Sequence, residues 1–199
     1  MKSLTHYIKE KLVIKKSKYN YFPQTKKELQ DIIKQLINQE GNEVDLNDID
    51  VSNITDMSYL FSGLDFNGDI SRWDVSNVTN MNSMFYLCEE LNGDISDWDV
   101  SKVINMRNMF YGCSKFNQDI SNWDVSKVIM MFSMFFECKE FNQDISNWNV
   151  SNVENMFGMF CGCVKFNQDI SSWDVSNVSN RKQIFGYCPI EDKYKPKFK

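Results

Sequence analysis

Hydrophobic and polar positions recur with a period of 25 residues over most of this chain. Trp73, Trp98, Trp123, Trp148 and Trp173 mark the period, and the apolar positions between them keep fixed offsets. In the unit that opens at Trp98, the apolar residues Val103, Met106, Met109, Phe110 and Cys113 fall three and four apart. That one-sided stripe predicts a short helix, with Ser101 placed to cap it. Phe116 and Ile120 lie four apart with Asn-Gln-Asp between them, a pattern that fits a short strand. A Trp-Asp-Val-Ser turn joins strand to helix. No single unit buries its apolar side alone, so the stack is the expected folding unit. The prediction is an α/β solenoid, a right-handed leucine-rich-repeat-like stack of about six 25-residue coils, each a short strand, a turn and a short helix.

The two ends of the array depart from the pattern. Residues 51–70 form a unit one residue shorter, in which Leu64 takes the place of the later cysteines. In the last unit Arg181 replaces methionine and Pro189 stops the repeat, as suits a face with no further coil over it. Ahead of the repeats, Thr25 and Glu28 make a capping-box pattern. Leu29, Ile32, Ile33, Leu36 and Ile37 follow as a helical stripe that Gly41 ends. This predicts a capping helix over residues 25–40. Residues 1–22 fit either a helix, favoured over residues 3–12, or a strand around Leu12 and Ile14. The expected organisation is a basic N-terminal segment with the capping helix (1–44), the repeat solenoid (45–190) and a basic C-terminal tail (191–199).

The columns of the repeat decide which positions carry chemistry. Cys88, Cys113, Cys138, Cys163 and Cys188 form a single line, which closes neither a four-ligand metal site nor a set of disulfides. Since Leu64 occupies the same place, the column reads as apolar core with free thiols. The methionine columns headed by Met81 and Met84 likewise read as core. The polar columns are the candidate site: Asn92, Asp94, Asn117, Gln118, Asp119, Asn142, Gln143, Asp144, Asn167, Gln168 and Asp169 are expected on one protein-binding face. Their structural use competes with that role, because asparagine ladders satisfy backbone groups where a coil turns and aspartates beside serines favour Asx turns. Cation binding is a further use, but the EF-hand spacing of oxygen donors is absent.

Charge and composition narrow the function. Residues 1–27 carry eight lysines against one glutamate and residues 191–199 four lysines against two acids, so the net charge of −5 leaves −14 on residues 28–190. An acidic body argues against nucleic acid along the solenoid. No apolar run reaches membrane-span length, and lysines interrupt the N-terminal stretch where a secretion signal would need an apolar core. With no signal peptide and a column of free thiols, the expected location is cytoplasmic, the alternative being the cell surface or secretion by a non-classical route. The only histidine is His6, and no phosphate loop, metal motif or nucleophile elbow occurs. The expectation is a protein that is not an enzyme and uses no cofactor or metal.

The repeat wording Trp-Asp-Val-Ser-Asn-Val-Thr-Asn-Met, then Met-Phe, Cys and Phe-Asn-Gln-Asp-Ile-Ser, resembles the BspA-like leucine-rich-repeat family. One branch of that family was first grouped as a domain of unknown function in mycoplasma surface lipoproteins. The resemblance covers residues 45–188. It implies a solenoid fold and roles in adhesion and host contact, with no shared catalytic residues. Together these readings predict a non-catalytic protein–protein interaction scaffold that uses the repeat surface to bind an unidentified protein. The alternatives are a surface-exposed or exported adhesion module binding host protein or glycan, and a self-assembling structural protein associating through the solenoid ends.

Overall fold

A computed structural model describes residues 18–198. The helix or strand expected within residues 1–17 lies outside the described residues. The element α1, Lys26–Glu40, is built by its own sequence. The Thr25 hydroxyl accepts the Glu28 N–H, while the Glu28 carboxylate reaches back to the Gln24 N–H at 2.7 Å. Gly41 ends the helix at φ +92°, a conformation that side-chain-bearing residues rarely adopt. Leu29, Ile33 and Leu36 are buried in the core shared with the repeats. Lys26 ties the helix to the first coil through the Ser58 hydroxyl and the Asp56 carboxylate.

Beyond α1 the chain runs as coils built from turns. In the unit after Trp98, the N–H groups of Met106, Asn108, Phe110 and Gly112 donate to the carbonyls of Met130, Phe132, Met134 and Phe136 in the next coil, at 2.9, 2.8, 2.9 and 2.7 Å. The intervening N–H groups of Met109, Tyr111 and Cys113 instead close local turns onto the residue three before them. Alternate residues therefore bond along the stack and within the coil. Two left-handed residues per coil make this possible, Asn108 at φ +52° and Gly112 at φ +72° in this unit. Single parallel bridges register the coils at Asp56, Asn80, Asn105, Met130, Asn155 and Asn180.

This geometry overturns the leucine-rich-repeat prediction. Among the described residues α1 is the one α-helix, joined by a 3-10 turn at Asp192–Tyr194, and no strand longer than an isolated bridge occurs. The stripe of Val103, Met106, Met109, Phe110 and Cys113 is not helical, because an α-helix needs N–H bonds to the fourth residue back, whereas Met106 and Phe110 donate to the next coil and Val103, Met109 and Cys113 to the residue three back. The Phe116 to Ile120 stretch is not a strand either. Its Asn117 N–H bonds to a side chain, the Asn92 Oδ1, where a strand would use a backbone carbonyl. The strand-turn-helix α/β solenoid is thus replaced by a ladder of turns.

The core fills the inside of the coils. Phe85, Phe110, Phe135 and Phe160 stack with ring centroids 5.7 Å apart at each step, nearly parallel. Trp73 and Trp98 stack at 6.5 Å, as do Trp148 and Trp173 at 6.4 Å, and each indole N–H donates to a carbonyl of the preceding coil. Such pairs contribute about 0.5–1.5 kcal/mol each beyond simple burial.

Candidate functional site

The structure uses all eleven polar-column residues in its own hydrogen bonds, the asparagines and glutamines from coil to coil and the aspartates within a coil. The Oδ1 atoms of Asn92, Asn117, Asn142 and Asn167 accept the backbone N–H one coil further on, from Asn117, Asn142, Asn167 and Glu191, at 2.9–3.0 Å. Gln118, Gln143 and Gln168 donate through Nε2 to the carbonyls of Asn92, Asn117 and Asn142. Asp94, Asp119, Asp144 and Asp169 each accept the N–H of the serine two residues later. The Ser121 and Ser146 N–H groups hold the Asp119 and Asp144 carboxyls below the usual aspartate range, and Ser171, through its hydroxyl first, does the same for Asp169. Asp119 and Asp169 oppose this at Asp144 by like-charge repulsion.

The expected interaction scaffold does not survive this geometry. It required a leucine-rich-repeat surface of strands and helices, which the coils do not form, and the adhesion and self-assembly alternatives rested on the same solenoid. Among the described residues no group of three or more His, Cys, Asp or Glu side chains converges to hold a metal ion. No helix of the described residues is long and apolar enough to cross a membrane.

The thiol column is buried from Cys88 to Cys163, only partly covered at Cys188, and free of disulfides. Cys88, Cys113, Cys138 and Cys163 donate through Sγ to the carbonyls of Phe61, Phe85, Phe110 and Phe135 at 2.9–3.0 Å. Burial pushes the Cys88 thiol up to about 12 and the next three well above the ordinary cysteine value, so these thiols stay protonated.

A shallow groove of about 680 Å³ runs beside the turn that follows each tryptophan, lined by Ile104, Lys127, Ile129, Asn152, Glu154, Asn177 and Ser179. Ile104 and Ile129 are 45% and 37% exposed there. The backbone along it is already paired coil to coil, Ile129 to Ile104, Glu154 to Ile129 and Ser179 to Glu154 at 2.9 Å each. It therefore offers side chains alone.

The last coil leaves unused a row of donors that the coils before it satisfy. In the coil before it, Gly158, Phe160 and Gly162 donate their N–H groups to Lys182, Ile184 and Gly186 at 3.0, 2.9 and 2.7 Å. One period later the corresponding N–H groups belong to Gln183, Phe185 and Tyr187, and none has an acceptor among the described residues. Residues 190–198 cover part of this coil, with Lys195 over the Phe185 ring and Phe198 against Arg181, and leave those three N–H groups unmet. The Glu191 N–H bonds to Asn167 Oδ1, the Ile170 N–H bonds to the Tyr194 carbonyl, and Ile190 is buried. The uncovered half leaves Lys182 and Gln183 exposed and Tyr187 88% exposed. Sequence reasoning singled out Arg181 as a sign of an end but missed these donors. Pro189, read as the stop of the repeat, marks the end of the array but not which N–H groups go unmet.

The model of a family described as "Mycoplasma protein of unknown function, DUF285" matches residues 27–138 and 88–194, which together take in α1 from its second residue and every coil. The chain belongs to this family. Its description assigns no activity. The resemblance to BspA-like leucine-rich repeats is accordingly corrected to membership of the DUF285 family, since the units lack the strand and helix that a leucine-rich repeat requires. No curated protein and no solved structure matches the chain.

Proposed function

We propose that this DUF285 protein is non-catalytic and meets a partner protein at the half-covered end of its coil stack. The observation that carries this reading is the row of backbone donors at Gln183, Phe185 and Tyr187, which every earlier coil satisfies and the last does not. Unmet backbone donors next to an exposed aromatic residue favour a polypeptide partner, because peptide carbonyls and aromatic contacts both contribute to recognition. The polar ladder is a weaker candidate, its amide oxygens being engaged in holding neighbouring coils and its carboxylates in turns within each coil. The buried, protonated thiols support work in a reducing compartment such as the cytoplasm, where free cysteines persist. The acidic body disfavours nucleic acid as the partner.

Affinity capture with two variants tests this. Tyr187→Ala with Lys182→Glu is expected to lose a protein that the wild type retains, while Asp119→Asn with Asp144→Asn keeps it. In the turn after each tryptophan, Asp99 and Asp124 accept the N–H of the serine two residues later and Asn149 does the same for Ser151, so asparagine preserves that kind of turn. Loss through the ladder variant with retention by the end variant would sink the proposal.

A further inference from the structure

We infer that the open half of the last coil binds an acidic peptide segment by backbone pairing, an inference that rests on the proposed function and specifies its ligand. The preceding coil shows what an occupant must supply. Gly158, Phe160 and Gly162 are met by carbonyls at alternate residues, Lys182, Ile184 and Gly186. A segment presenting carbonyls at alternate residues in the same register meets Gln183, Phe185 and Tyr187. This is strand-type addition at an edge, where the main chain supplies affinity and side chains supply selectivity.

Charge selects the segment. The body is acidic, but residues 181–198 hold Arg181, Lys182, Lys193, Lys195 and Lys197 against Glu191 and Asp192. Lys195 lies 5.8 Å from the Phe185 ring centroid, beside the open row, and Lys182 is exposed between Arg181 and Gln183. An acidic segment is drawn to this basic rim and a basic one repelled. A second copy stacked head to tail is the weaker occupant. The face its first coil would have to present is held by α1, through Leu29, Ile33 and Leu36 in the core and through Lys26 on Ser58 and Asp56.

The probe is an acetylated, amidated eight-residue peptide alternating valine and glutamate, with a valine–lysine peptide as control, added to the full chain and followed by residue-resolved amide hydrogen exchange. The acidic peptide is expected to slow exchange at Gln183, Phe185 and Tyr187 and to leave Ile184, Gly186 and Cys188 unchanged, since those three already donate within the coil. Reversing the rim with Lys182→Glu and Lys195→Glu is expected to weaken binding about tenfold, the exposed Lys182 and the half-buried Lys195, which pairs with Asp192, each contributing under about 1 kcal/mol. Equal binding of the two peptides, protection confined to other residues, or no protection at all overturns the inference. If capture still depends on Tyr187 and Lys182 while the peptide gives no protection, the end remains the contact and only the backbone-pairing ligand is wrong.

Discussion

Met156 and Arg181 occupy the same place one period apart, yet the methionine is fully buried and the arginine is exposed with its guanidinium 5.3 Å from the Phe198 ring centroid. Phe160 is sandwiched between Phe135 and Phe185, whereas Phe185 stacks on Phe160 with no further phenylalanine of the column beyond it. The interior coils and the last coil are written in nearly the same residues. Their stability differs because each coil borrows half of its burial and half of its stack-directed hydrogen bonds from the next. Position in the stack, more than residue type, sets what a side chain contributes.

The largest test of that contrast is a pair of truncations. Phe135→Ala, in a column buried on both sides, is expected to cost about 3–5 kcal/mol by denaturant unfolding. Phe185→Ala, half-buried and stacked on one side, is expected to cost no more than about half as much. Equal costs would mean that the last coil is as well supported as the interior.

Thiol chemistry gives a second contrast. Cys138 is buried between coils, while Cys188 is only partly covered, although burial raises both thiols above the ordinary value. In native buffer Cys188 is expected to react with a neutral disulfide reagent at least about tenfold faster than Cys138, the buried group reacting only as the fold opens. Mass spectrometry of partly labelled protein distinguishes this order from simultaneous labelling.

The smallest expected effect lies in the aspartate ladder. Asp119 and Asp144 are held below the usual carboxylate range by serine N–H groups, so the ionised form is favoured by folding. Their contribution is fully present above the unfolded aspartate value of about 3.9 and fades as pH falls through the lower folded values. Asp119→Asn with Asp144→Asn is expected to change stability near neutral pH by less than about 0.5 kcal/mol each while flattening the loss of stability below about pH 4. An unchanged acid profile would remove these carboxylates from the account.

What the chain discloses before folding depends on whether the chemistry is local. The cap and stop of α1 are local, so Thr25, Glu28 and Gly41 mark that helix on their own. The roles of Asn92 and Asp119 as backbone acceptors are also legible, because short amides and carboxylates next to serines have few other uses at a turn. The coil interior is harder to read. Met106, Met109, Phe110 and Cys113 lie at helical spacing, but turns punctuated by left-handed residues bring the same offsets to one side. Gly112 and Gly162, at φ +72° and +80° within the supposed helices, were the available warning. The unmet donors at the end depend on what the next coil lacks, and no local pattern records that.

Native-state amide exchange of the unliganded protein distinguishes the two rows, Gly158, Phe160 and Gly162 against their successors Gln183, Phe185 and Tyr187. If alternate N–H groups hold each coil to the next, the first three exchange only through opening of the stack, and the second three exchange at least about a hundredfold faster. Equal protection of the two rows would contradict a stack that borrows its hydrogen bonds from the following coil and leaves its last row open.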